Sequence, residues 1–160
     1  MVSTQPIRPI LKHIGDSRQS VVCDVSGGVP TILYWGAALN AVSLANLDAI
    51  ATATLRPSMP GVTDAINAIS LVPCHGDGAT MRPGIGGHRP GGRHWAPRFS
   101  FVSCEVVDQQ LISIARDDVA QLELETKLVC SAWGTLHATA MLRNIGESRY
   151  LLTNLTITLP

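Results

Sequence analysis

LELETKLVCSAWGTLHATAMLRNIGESRYLLTNLTITLP, residues 122–160, reads as strand, turn, strand, turn, strand. Leu122, Leu124, Leu128 and Cys130 share one parity and Glu123, Glu125 and Lys127 the other, the period of a strand with one buried and one wet face. Turn-forming residues 131–134 follow. Leu136, Ala138, Ala140 and Leu142 then alternate against Thr135, His137, Thr139 and Arg143. Asn144, Gly146, Glu147 and Ser148 make the next turn, after which Leu151, Leu155, Ile157 and Leu159 alternate against Leu152, Asn154, Thr156 and Thr158. The pattern predicts three antiparallel strands in a meander.

Upstream, residues 99–107 and 111–115 are rich in β-branched and aromatic side chains and are separated by Asp108, Gln109 and Gln110, which predicts another hairpin. Residues 19–25 and 29–35 flank Ser26-Gly27-Gly28 as a third. Leu44, Leu47, Ile50, Ala51 and Leu55 fall at helical spacing, so one short helix is expected, ending before Pro57. Frequent strands with turn chemistry between them predict an all-β, antiparallel sandwich. Trp35 is expected in its core.

The chain has 160 residues, 46% apolar and 15% charged, with twelve basic and twelve acidic side chains, and its mean hydropathy is positive. Such a composition builds one core and is not that of a disordered chain. Balanced charge and only three Trp, two Tyr and two Phe argue against a nucleic-acid partner. Residues 25–47 carry no formal charge but are interrupted by Gly27, Gly28, Pro30, Asn40 and Asn46, so no membrane helix is expected. The first eighteen residues lack a continuous apolar run, so a secretory leader is not supported and a cytoplasmic location is expected.

Residues 73–98 stand apart, with seven glycines, four prolines, four arginines and three histidines in a stretch longer than an ordinary loop. Gly84-Ile85-Gly86-Gly87 neither follows a clear strand nor opens a helix, so it is no dinucleotide fingerprint, and no cofactor is expected. His75, His88 and His94 lack companions at ligand spacing, and Cys23, Cys74, Cys104 and Cys130 form no C-x-x-C pair; free thiols and no metal are expected. Asp117 and Asp118 are adjacent and would point to opposite faces of an extended chain, which suits a turn better than a catalytic dyad.

Tyr34-Trp35-Gly36-Ala37-Ala38-Leu39 resembles the tryptophan-glycine element near the start of the N-terminal domain of bacterial α-galactosidases of glycoside hydrolase family 36. In the same order come a G-x-G-x-x-R element (Gly84, Gly86, Arg89), Ala115, Asp117 and Leu122, and a closing pattern of Gly134, Asn144-Ile145-Gly146, Tyr150, Leu152, Leu155 and Leu159-Pro160. The resemblance spans about residues 20–160. It implies a β-supersandwich preceding a TIM-type barrel, in an enzyme that hydrolyses terminal α-linked galactose with retention through two aspartates. Both aspartates belong to the barrel. Residues 1–160 are therefore expected to be a truncated N-terminal β-sandwich domain with the catalytic barrel absent, no catalytic residue of its own, and galactosides reached only through that barrel.

The resemblance also implies a homo-oligomer, in which the family's G-x-G-D-x-R element approaches a neighbouring subunit's sugar site. Here Gly87 takes the aspartate position and Arg89 the arginine. Arg89, Trp95 and His88 are the candidate substrate-binding residues: a bidentate donor, an apolar plate for a pyranose and a loop imidazole. Arg89 is read as an exposed loop residue of little weight in folding, and a purely scaffolding role for Arg89 and Trp95 stands beside the binding one. The competing reading for the whole chain is a stand-alone carbohydrate-binding or oligomerisation sandwich without hydrolase activity.

Overall fold

A computed structural model describes residues 9–40, 42–54, 69–78 and 82–159. Strands β1 (Leu11–Gly15), β2 (Gln19–Asp24) and β3 (Thr31–Ala37) form one antiparallel sheet in that order. Helix α1 (Leu44–Thr54) follows β3, and the Leu55 end of the expected helix lies outside the described residues. A second sheet holds β5 (Ser100–Val107), β6 (Gln110–Asp117), β7 (Leu122–Cys130) and β8 (Leu136–Asn144) as a meander. Between them in sequence runs β4 (Ile85–His88), which pairs with β9 (Leu151–Leu155). The antiparallel β-sandwich read from the sequence is the fold.

The meander's register follows directly from the alternation of its side chains. Leu111, Ser113 and Ala115 of β6 lie opposite Leu128, Thr126 and Leu124 of β7, which in turn face Ala138, Ala140 and Leu142 of β8. They point to one face, where Leu111, Ala115, Leu124, Leu128, Ala138, Ala140 and Leu142 join Ile14, Val21 and Cys23 of the first sheet, and Val25 just beyond β2, in a single core. Each leucine so buried contributes about 1.5–3 kcal/mol, and a one-residue slip would turn the whole set to water. Val22 points to the other face of β2 and is also buried, as is Leu47 on α1, the helix that touches β3.

The four cysteines are unpaired; Cys23, Cys74 and Cys130 are buried and Cys104 is half-buried. Burial pushes the thiols of Cys23 and Cys74 up to about 12, so neither is nucleophilic in the folded chain. No helix among the described residues is long and apolar enough to cross a membrane.

Three expectations need correction, and one strand is added to those foreseen. The C-terminal stretch is not a third meander strand: β9 leaves β8 and pairs with the glycine-rich β4, and only Leu155 and Ile157 of its alternating set pack on the core. Residues 73–98 are not a structureless loop, for they contain a 3-10 turn at His75–Asp77, strand β4 and a second turn at Pro90–Gly92. β1, which carried no sequence signal, forms because Asp16 closes a tight turn, its carboxylate accepting the Arg18 and Gln19 N–H groups at 2.8 and 3.0 Å. Trp35 is not core: it is 42% exposed on edge strand β3, its indole N–H donating to Gln19 Oε1 at 3.3 Å.

On the outer face of the meander, Glu123 lies directly opposite Arg116 and Arg143 and bonds both, at 2.8 and 3.0 Å. Arg116, then Arg143, holds its carboxyl below the ordinary value of 4.5. A depressed carboxyl adds stability above its ordinary range that is lost as the pH falls below about 4.5 and through the depressed value. Glu123→Gln is therefore expected to flatten the acid limb of the urea midpoint between about pH 6 and about pH 2. An unchanged limb would show that this pair of bonds carries no linkage.

Candidate functional site

The glycine-rich segment folds into a narrow hairpin. Pro90 and Gly91 take the two central positions of a type II turn, with Gly91 at φ 80° and the Gly92 N–H donating to Arg89 O at 3.1 Å. The Arg89 N–H bonds Arg93 O at 2.7 Å across the tip. The side chains of Arg93 and Trp95 are left exposed, Trp95 by 60%, with the His75 ring 5.7 Å from its indole. His88 turns back, its Nδ1 2.8 Å from Arg89 O.

Arg89 points the other way and is 3% exposed, which corrects its reading as an exposed loop residue. Its Nε and Nη2 donate to Ala120 O at 3.0 and 2.6 Å, and Nη2 also reaches Gln121 O and Asn144 Oδ1. Nη1 donates to both the carbonyl and the hydroxyl of Ser148. Every partner is neutral, and the Tyr150 ring lies beneath the guanidinium with its centroid 5.9 Å away. A buried cation without a carboxylate is tolerable only where carbonyl dipoles surround it, as they do here.

The surroundings of this knot are equally committed. Asp117 is buried, its two carboxylate oxygens accepting the N–H groups of Arg98, Val119 and Ala120 at 2.8–2.9 Å, while Asp118 faces outward. Asn144 Oδ1 also accepts the Gly146 N–H. The Tyr150 hydroxyl is buried without a hydrogen-bond partner among the described residues, and burial raises it above its ordinary value despite Arg89. An open depression of about 400 Å³ beside the hairpin is lined by His94, Ala96, Arg98, Ser100, Arg116 and Asp118, among others, and not by Arg89, His88 or Trp95.

Of the three candidate residues, then, Arg89 spends its donors inside the chain, His88 bonds its own backbone and Trp95 alone presents a free surface. The structure does not gather them around one cavity. The groups around Arg89 were legible only as separate motif pieces: Asn144 and Tyr150, which touch it, and Asp117 and Gly146, which hold the adjoining turns, are scattered along the sequence, and space brings them to one end of the sandwich.

Gly87, at the position where the resemblance expects aspartate, lies under β9. A Cβ there would stand 2.5 Å from Leu151 O and 2.6 Å from the Tyr150 ring. The strand pair closes only because that side chain is missing.

The fold is an all-β sandwich whose shared motif residues meet in one knot of hydrogen bonds around Arg89. The model of the glycosyl hydrolase family 36 N-terminal domain matches residues 28–160, and the chain belongs to that family. In fold it resembles the GH36 α-galactosidase AgaB from Geobacillus stearothermophilus, with a TM-score of 0.62 at 16% identity over 91% of this chain. It spans 23% of the length of that protein. No curated protein sequence matches it.

Two substitutions probe the knot. Arg89→Ala leaves several carbonyls without donors and is expected to lower the unfolding free energy by about 3 kcal/mol or more, with Arg89→Lys recovering part. A loss below about 0.5 kcal/mol in urea melts would show the guanidinium to be replaceable by water. Gly87→Asp should cost more than about 2 kcal/mol and detach β9, seen as faster amide exchange at Leu152 and Asn154.

Proposed function

We propose that the chain is the non-catalytic N-terminal part of an α-galactosidase, a retaining hydrolase of terminal α-D-galactosides that works in cytoplasmic carbohydrate metabolism as a homo-oligomer. The observation that carries this reading is the family match across residues 28–160, joined to a fold shared with a GH36 α-galactosidase. Its own carboxylates support a supporting role. Retaining hydrolysis needs two carboxyl groups about 5–5.5 Å apart and free to reach the glycosidic bond. Here the buried Asp117 is occupied by three backbone N–H groups and Glu123 by two arginines.

In this reading the galactoside is held and cleaved in a barrel, and the sandwich serves that barrel by packing and by presenting the hairpin tip, where Trp95 is the side chain available to a sugar. The chain alone is expected to release no p-nitrophenol from p-nitrophenyl α-D-galactopyranoside, whereas fused ahead of a family 36 barrel it should give a soluble, active enzyme. Turnover by the chain alone, abolished by replacing one of its own carboxylates, would overturn the proposal, as would a fusion no more soluble or active than the barrel by itself.

A further inference from the structure

A polar pair is enclosed on the face of the first sheet that points away from the core. In the β1–β2 ladder His13 lies opposite Val22, and Ser20 is the next residue of β2 on that same face. Ser20 is 1% exposed and His13 is half-buried. His13 Nε2 stands 2.9 Å from Ser20 Oγ, and the same Oγ accepts the Leu39 N–H at 2.9 Å. Leu39 lies just beyond β3, in the strap that leads from the sheet into α1.

That strap is lightly held. The Ala38 N–H donates to Arg18 O at 3.1 Å, and of the eleven residues of α1 Leu47 alone is buried, with Ile50 and Ala51 half-buried beside it. Ser43 caps the helix, its Oγ accepting the Asn46 N–H at 3.2 Å, but the first turn carries no acidic residue and the last no basic one. A helix this short has little stability apart from its docking. The bond from Leu39 to Ser20 is therefore a large part of what fixes the strap to the sheet.

A hydroxyl has one hydrogen to give. With Oγ accepting the Leu39 N–H, the Ser20 hydrogen is satisfied by a bare Nε2, which is the neutral ring with its proton on Nδ1. Burial favours the same form and holds the His13 imidazole below its ordinary value of 6.5. A proton on Nε2 reverses the donor, leaves the buried Ser20 hydrogen without an acceptor and sets a desolvated cation beside the strap. Among the described residues no carboxylate meets that cation. Asp24 of β2 spends Oδ1 on the Ile10 and Ser26 N–H groups, and Asp16 in the β1–β2 turn accepts those of Arg18 and Gln19. Tyr34 of β3 gives its hydroxyl to Ala37 O, the Arg18 guanidinium reaches away to Ala132 O, and Asp48 of α1 is exposed.

We propose that His13, Ser20 and the Leu39 N–H form a proton-sensitive latch, which holds the strap and α1 on the first sheet at neutral pH and releases them when His13 takes up a proton. A histidine held below its ordinary value supports docking fully above about 6.5, and that support is lost as the pH falls from there through the lowered value. Access to the outer face of the first sheet thereby becomes a function of pH.

Amide exchange and histidine-ring NMR on the full chain, from about pH 7.5 to about pH 5, test the latch. The expected result is a fall of about threefold or more in the protection of the Leu39 and Leu47 amides, where one proton allows at most about tenfold per pH unit. The His13 ring should titrate below 6.5 over the same range, with Nε2 bare at its upper end, while the Leu124 amide in β7 keeps its protection. His13→Gln offers Ser20 a carbonyl acceptor that does not titrate, so protection at Leu39 should stay level in that variant. If the variant does not fold, the coincidence of ring titration and Leu39 exchange in the parent decides alone. A His13 ring that titrates at or above 6.5, or Leu39 protection that stays level in the parent, overturns the inference. So does a fall that persists in His13→Gln, or an equal fall at Leu124, which would make the response that of the whole sandwich.

Discussion

A single guanidinium holds the two turns at one end of this sandwich to the hairpin that crosses them. Arg89 bonds Ala120 and Gln121 in the β6–β7 turn and Asn144 and Ser148 in the β8–β9 turn, while its own backbone begins the Pro90–Gly91 turn. Carbonyl oxygens, not carboxylates, stabilise the cation, and they do so only if all these segments stay where they are. The diversion of β9 away from β8 follows, because the chain leaving Ser148 is directed over Tyr150 onto β4. Glycines at 86 and 87 leave room for that approach.

This arrangement changes the meaning of the family's motif residues. Arg89, Asp117, Asn144 and Tyr150 look, as residue types, like chemistry. In space they satisfy backbone groups and one another, and what they present to solvent is the hairpin tip. Selection for such residues would preserve an end of the sandwich, and through it the shape offered to whatever packs there.

The sheet was legible where side chains alternate. Leu122, Leu124 and Leu128 set the register of β7, and β6 and β8 followed from it, as did the single helix from Leu44 and Leu47. β4 was not legible, since Gly86 and Gly87 have no side chains to alternate and a glycine-rich string reads as loop. Nor was the burial of Arg89: arginine is ordinarily exposed, and its acceptors lie 31 to 59 residues away, beyond any local pattern. Trp35 misled for a related reason. Aromatic residues in a strand suggest core, yet an edge strand leaves one flank of its inward face open.

The two kinds of sheet contact also differ in how far along the chain their partners lie. Successive hairpins build β5 to β8, so each strand meets a neighbour made moments earlier, whereas Asn154 reaches Gly84 across 70 residues. Loop-closure entropy delays such distant pairing until the intervening meander exists to receive it. On these grounds the β4–β9 pairing is expected to close after the meander, which makes it the seam that completes the sandwich rather than the part that starts it.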